Sequence, residues 1–304
     1  MSDVDVATPP ASHRDLLGFA LGFVGIAIFG ATLPMTRIAV ATFDPWFVTL
    51  GRAGIAAVLA ASLLLVLRRR PPPRAAWPTL AMAALMTVIG FPIFSAVAMT
   101  TVPAAHGGVV LGLLPLATSI AAVVINGERP SALFWVWSLV GAGLVLAFPL
   151  RTTDASMGAG DVFLVLSVVA ASTGYALFAR AGRWVSGWEA ISWALVLMAP
   201  VTVTGSLFLF RPDYAAAPGA AVGALLYVAV FSVFIGFFFW NAGLAIGGVA
   251  RVGQVQLLQT FVTLAVSAAL LGETIDGTTL GFALAVMAVV LLARRAAVSR
   301  RSAA

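Results

Sequence analysis

Cysteine and lysine are absent from this 304-residue chain, and charge of any kind is scarce. Without cysteine there are no disulfides, thiol nucleophiles or cysteine metal sites. Without lysine all 17 basic residues are arginines, and only 9% of residues are charged. His106 has no second ligand at helical spacing, so neither a metal nor a cofactor is expected. The acids near the apolar segments, Asp44, Glu128, Asp161, Glu189, Glu273 and Asp276, fall at segment ends. Gly158-Ala159-Gly160-Asp161 matches the GxGD string of intramembrane aspartyl proteases, but that chemistry needs two carboxylates sharing a proton. No second aspartate lies inside a segment. Nucleophile-elbow, zinc-protease and phosphate-loop motifs are missing as well, so an enzyme is not expected.

What the chain has is apolar length. Hydrophobic residues make up 62% and mean hydropathy is +1.07, the composition of an integral membrane protein. About twenty apolar residues in a helix cross roughly 30 Å of hydrocarbon. Ten such segments are predicted, near 16–36, 46–67, 77–99, 104–125, 131–149, 161–181, 188–210, 219–245, 249–271 and 277–293. The run Arg68 to Arg74, with three prolines, cannot continue a helix in lipid. Glu128-Arg129-Pro130, Arg211-Pro212-Asp213 and Gly272-Glu273 break the chain similarly.

The arginines orient these segments. With the N-terminus inside, Arg14, Arg68, Arg69, Arg70, Arg74, Arg129, Arg180, Arg183, Arg251, Arg294, Arg295, Arg300 and Arg301 are cytoplasmic. Only Arg37, Arg151 and Arg211 then fall outside. The bias places both termini in the cytoplasm and makes the basic clusters membrane-orienting rather than a nucleic-acid surface. Residues 1–15 read as a disordered cytoplasmic tail and 296–304 as a basic one.

The chain also reads twice. Gly127-Glu128 recurs 145 residues later as Gly272-Glu273, with Pro103 to Gly108 over Gly248 to Gly253 and Ser131 to Ala147 over Asp276 to Leu292. Residues 16–150 and 151–295 are therefore read as two five-helix repeats. Duplicated halves with an odd number of spans sit in opposite orientations, the arrangement of secondary transporters.

These features resemble the drug/metabolite transporter superfamily in its ten-helix EamA branch. The resemblance rests on the duplicated units, the Pro-kinked first span Phe29-Gly30-Ala31-Thr32-Leu33-Pro34, and the Gly-Glu pairs closing spans four and nine. The arginine-rich turn after span two and the run Leu144 to Phe148 also fit. Within the branch the chain is most similar to bacterial aromatic-amino-acid exporters of the YddG type. The resemblance implies a basket of helices around a central cavity, with spans five and ten outside it, in the bacterial inner membrane. It implies export of amino acids, aromatic and other neutral ones, and of related metabolites. Small multidrug antiporters of the superfamily use a buried glutamate, and sugar-phosphate exchangers a Lys/Arg clamp. Neither is available here, so facilitative or weakly pH-coupled transport is expected. Proton-coupled export of cationic drugs is the second reading, and an intramembrane enzyme or receptor a remote third.

Polar residues inside a bilayer are costly and point to function. Gln256, Thr260, Thr263 and Ser267 share one helical face with Gln259 at its margin, lining a cavity or bonding helices together. Trp240, Asn241 and Tyr175 sit well inside their segments, unlike Trp46, Trp77, Trp184 and Trp188 near segment ends. The expected substrate contacts are Gln256, Gln259, Thr263, Asn241, Trp240 and Tyr175, with Thr32, Ser95 and Met99 as lesser candidates. Pro34, Pro92, Pro115, Gly108 and Gly253 are the expected gating or hinge positions. Arg52 reads either as a handle for a substrate carboxylate or as a snorkelling or carbonyl-paired residue, and stays outside that set. Pairs such as Gly18/Gly22, Gly108/Gly112, Gly219/Gly223 and Gly243/Gly247 suit close helix packing within a monomer.

Overall fold

A computed structural model describes residues 13–126, 129–148, 158–247, 253–295 and 298–299. The Gly127-Glu128 pair, most of both tails and the positions aligned at 248–252 lie outside the described residues. Apart from a two-residue antiparallel bridge pairing Arg129 with Ser299 and Pro130 with Val298, every regular element among the described residues is helical.

In chain order the helices are α1 (His13–Gly30), α2 (Thr32–Val40), α3 (Pro45–Val66), α4 (Trp77–Ala84), α5 (Phe91–Ala98), α6 (Ala104–Leu111), α7 (Leu114–Asn126) and α8 (Ala132–Ala147). The second half holds α9 (Ala159–Ala181), α10 (Gly187–Phe208), α11 (Gly219–Leu226), α12 (Gly236–Gly247), α13 (Gln259–Leu271) and α14 (Gly277–Arg295). Two π-helical stretches, Leu85–Gly90 and Tyr227–Ile235, join α4 to α5 and α11 to α12, and a 3₁₀ turn, Gly253–Leu258, leads into α13. Over its described residues each predicted segment overlaps one of these helices or two in succession, while 149 and 249–252 lie outside the described residues.

Six helical stretches among the described residues are long and apolar enough to cross a membrane: Leu16–Val40, Pro45–Val66, Arg74–Ala98, Ala159–Ala181, Gly187–Phe208 and Gly219–Gly243. Ala104–Leu111 and Leu114–Ile125 form a pair bent by 42°, and Ala132–Leu144, Val255–Leu271 and Gly277–Leu292 are shorter apolar helices. The protein is therefore an all-helical, multi-pass membrane protein. Its outer surface suits lipid: Val66, Val124, Leu139 and Phe208 are among the most exposed apolar side chains. Threonine and serine are buried instead, as Thr36, Thr49, Ser95, Ser167, Ser192 and Thr202 all are. That inversion of a soluble protein follows from a solvent as apolar as leucine.

The helices pair reciprocally between the halves. α1 lies along α12 and α2 along α11, while α9 lies along α4 and α5. α3 packs on its repeat counterpart α10 and α8 on its counterpart α14, while α6 packs on α13, the counterpart of α7. Glycine allows the closest approach: a Cβ at Gly243 would stand 2.6 Å from the Gly22 amide nitrogen and 2.9 Å from the Gly18 carbonyl oxygen. Two of the GxxxG pairs thus serve internal packing, since Gly108 and Gly112 meet Thr263 and Thr260 in the same way. Gly219 and Gly223 meet nothing within 4 Å.

Ties between chain segments cluster at the two ends of the bundle. At one end Arg69 pairs with Glu189 at 3.3 Å, beside the 129–130/298–299 bridge that joins the turn after α7 to the C-terminal segment. At the other, the Glu273 carboxylate accepts from the amides of Ala104 (2.8 Å) and Ala105 (2.7 Å) and faces Arg37 Nε at 3.5 Å. Arg37 also donates to the carbonyls of Met99 and Val102. A carboxylate on the first amides of α6 neutralises donors that the helix leaves unpaired there.

Candidate functional site: a central cavity around broken helices

Proline 34 creates the first feature of the site. It has no amide hydrogen to return to the carbonyl of residue 30, and its ring crowds that carbonyl. The helix breaks at Ala31 accordingly, and the Gly30 carbonyl accepts instead from Thr263 Oγ1 on α13 at 2.8 Å. Two residues earlier the Ile28 carbonyl accepts from Tyr227 Oη at 3.0 Å. Just after the break Thr32 Oγ1 bonds Ser232 Oγ at 2.8 Å. Residues of the second half thus satisfy the backbone that the first helix exposes.

The π stretches are the second feature. Leu85–Gly90, moved by the 145-residue repeat, falls on 230–235, inside Tyr227–Ile235. Wider helical turns of this kind occur preferentially at functional sites. Pro92 is the second residue after the first, and without an amide hydrogen it cannot donate the regular helical bond. Gly90 then packs against Ala170 of α9, and the aligned region around Gly236 packs against Phe29 of α1.

Between these breaks lies a narrow cavity of about 50 Å³, room for a few water-sized groups in this conformation. Its wall includes Phe29, Thr32, Arg52, Thr87, Phe91, Leu114, Tyr175, Ser232, Phe237, Gln259 and Thr263. Both halves contribute, and three lining pairs are repeat equivalents: Thr87 with Ser232, Val88 with Val233, and Leu114 with Gln259. No described residue of α8 or α14 lines it. A second, smaller space of about 10 Å³ adjoins it, bounded by Gly108, Pro115, Gln256 and Thr260 and sharing Gln259 and Thr263.

Arg52 is the one charged residue on the central wall. It is 2% exposed and does not snorkel to the surface. Its Nη2 donates to Ser232 Oγ at 3.2 Å, while Nε and Nη1 are buried with no hydrogen-bond partner among the described residues. The carbonyl pairing considered from sequence is likewise absent from these two nitrogens. Isolated burial of a guanidinium costs several kcal/mol unless another group compensates it. Arg52 was legible as a lone charge in an apolar run, yet the residues favoured from sequence omit it.

Of those residues, Thr32, Tyr175, Gln259 and Thr263 meet at the central cavity, and Gln256 lines the adjoining space. Trp240 and Asn241 are elsewhere: the Trp240 backbone meets α1 at Gly25, and Asn241 lies against Gly187. Ser95 is fully buried and donates to the Pro92 carbonyl at 3.1 Å, and Met99 is packed in the core. Pro34, Pro92 and Pro115 each lie within a turn of a break, whereas Pro200 stays inside the continuous α10. Gly253 opens the 3₁₀ turn. Gly108 permits the crossing of α6 and α13, where an added Cβ would lie 2.8 Å from Thr263. Sequence reasoning missed Thr87, Ser232, Phe29 and Phe237. The first two are visible only once the repeat offset is applied to hydroxyl residues.

Asp161 caps α9 by accepting from the Gly158 amide at 3.0 Å and also bonds His106 at 2.8 Å. That pair links α6 to α9 near the end closed by Glu273, outside the cavity wall.

The model of the EamA-like transporter family matches the chain twice, over residues 16–148 and 158–295. Uncharacterized transporter YdeK of Bacillus subtilis (strain 168) is 44% identical over 279 residues, covering 91% of this chain and 97% of that protein. Uncharacterized transporter YyaM of the same organism is 24% identical over 264 residues, covering 83% and 85%. Neither name specifies a substrate. A solved crystal structure of a protein superposes with a TM-score of 0.58 at 20% identity, covering 91% of this chain and 98% of that one, a likeness of fold alone. The chain belongs to the EamA-like transporter family of the drug/metabolite transporter superfamily, and is a membrane transporter rather than an enzyme.

Proposed function

We propose that this transporter exports amino acids, aromatic and other neutral ones, and related small metabolites across the bacterial inner membrane. It does so as a monomer by alternating access, facilitatively or with weak pH coupling, in the manner of aromatic-amino-acid exporters of the YddG type. The proposed topology has ten spans in two inverted five-helix repeats, with both termini cytoplasmic. The bent pair counted as one span and the three shorter apolar helices support the count, and the arginine bias supports the orientation.

The observation that carries the mechanism is a cavity walled by repeat-equivalent residues of both halves. A site on a pseudo-twofold interface can open to either side as one half rocks on the other. Its walls suit an amphipathic solute: Phe29, Phe91 and Phe237 offer apolar surface, while Arg52, Gln259 and Tyr175 offer polar contact. The absence of an acid among the described lining residues argues against a cationic drug.

Counterflow in proteoliposomes tests the reading. Vesicles preloaded with unlabelled amino acids should accumulate labelled phenylalanine without an imposed pH gradient. Movement of a cationic dye that requires such a gradient, with no amino-acid signal, would refute it.

A further inference from the structure

The proposed transport reading leaves open which part of a solute the protein recognises, and Arg52 answers it. We infer that the cavity is an anion-selecting site in which the free edge of the Arg52 guanidinium grips a carboxylate, and that an α-amino group is not required. The preferred occupants are monocarboxylates with an apolar body, amino acids being one class among them.

Three observations converge. The guanidinium has five donors arranged so that two planar edges can each grip a carboxylate bidentately. Ser232 takes one donor of Nη2, which leaves one two-donor edge intact, and Nε and Nη1 have no partner among the described residues. The side chain is 98% buried and lies on the cavity wall, where a solute entering the cavity is placed to supply the missing partner. Its anchor is fixed in turn: Ser232 is itself bonded to Thr32 at 2.8 Å, tying α2, α3 and the second π stretch together at one point.

The wall makes no matching provision for an ammonium group. It contains no described aspartate or glutamate, and the Ile28 and Gly30 carbonyls beside the break in the first helix, which are not on the wall, each accept one bond, from Tyr227 and Thr263 respectively. An amino group would meet neutral acceptors such as Gln259, which cannot repay its loss of hydration as a charge would. The repeat counterpart of Arg52 is Leu197, so the charge is present on one side of the pseudo-twofold only. A single cation in an otherwise apolar and hydroxyl-lined chamber selects one anionic group per solute. Dicarboxylates are disfavoured because the second charge would be buried unpaired.

Equilibrium binding to the detergent-purified full chain tests this independently of transport. The probes are 3-phenylpropanoate, phenylalanine, phenylalaninamide and phenethylamine, which separate the carboxylate from the amine on one apolar body. The two carboxylates should bind with dissociation constants within about tenfold of each other, and the two amines should bind at least tenfold more weakly. Arg52→Gln should weaken both carboxylates by roughly 10- to 100-fold, the range of a charge-assisted hydrogen bond. Arg52→Lys should recover part of that loss, since it restores charge without the planar fork. Wild-type binding of phenethylamine equal to or tighter than 3-phenylpropanoate would overturn the inference without any variant having to fold. Undiminished carboxylate binding by a folded Arg52→Gln protein would overturn it too. If the carboxylates bind as expected but no amino acid moves in counterflow, the anion site stands and the amino-acid export reading fails.

Discussion

Gly243→Ala should be among the most damaging single-methyl additions to this protein. The added Cβ would lie 2.6 Å from the Gly22 amide nitrogen and 2.9 Å from both the Gly18 carbonyl oxygen and the Gly22 Cα. All three are backbone atoms of α1, so no side chain can swing away. Ordinary contact begins near 3.4 Å, and reaching it requires α1 and α12 to separate by roughly 0.8 Å. A gap of that size forfeits about a quarter to a half of each contact's dispersion energy along the seam. Overpacking typically costs about 1–3 kcal/mol, and a seam this long belongs at the upper end, about 2–3 kcal/mol. Gly223→Ala is the matched control: nothing lies within 4 Å of its Cβ, and the better helix propensity of alanine should stabilise by up to about 1 kcal/mol. Both can be measured by SDS-induced unfolding in mixed micelles, followed through the fluorescence of the 8 tryptophans. Stabilities of the two variants within about 0.5 kcal/mol of each other would refute the close α1–α12 approach.

Glu273→Gln should loosen the end of the bundle where that carboxylate holds the first amides of α6 and faces Arg37, costing about 2 kcal/mol in the same unfolding assay. An unchanged midpoint would show that the tie contributes nothing. Tyr214→Phe removes the hydroxyl that accepts from the Asp44 amide at 3.0 Å and should cost about 1 kcal/mol, leaving its aromatic packing on Phe43 intact. Gln259→Ala should lower counterflow of phenylalanine severalfold at unchanged protein abundance, while Trp240→Phe should leave the kinetics within about twofold, because only Gln259 lines the cavity. The opposite ranking would move the substrate site toward α12.

The apolar segments were legible because crossing hydrocarbon demands about twenty consecutive apolar residues, and nothing else in a chain this size looks similar. The breaks were legible only in part. Pro34 announces a kink, yet the helix interrupts at Ala31, since proline disturbs the carbonyl four residues before it rather than its own position. The π stretches carry no pattern of their own: Leu85–Gly90 and Tyr227–Ile235 are as apolar as their neighbours. The polar face of the ninth segment was half right. Thr260, Thr263 and Ser267 are buried, but Thr263 is occupied by the Gly30 carbonyl, and Gln256 sits in a 3₁₀ turn rather than on the α-helix. Trp240 and Asn241 looked central by position along their segment, and position along a helix does not reveal which side faces the bundle. Arg52 shows the converse, a residue whose role depended on whether any partner stood beside it, which only three dimensions could tell.

The natural absence of cysteine makes the central claim directly testable. Single cysteines at Val233 and Leu114, one lining residue from each half, can be introduced without removing any other thiol. Each would be challenged with a membrane-impermeant thiol reagent in right-side-out and in inverted vesicles, with and without phenylalanine. Alternating access through this cavity predicts modification from both faces of the membrane and protection by substrate on each. Labelling from one face only, or labelling that substrate does not slow, would contradict the cavity as the transport path.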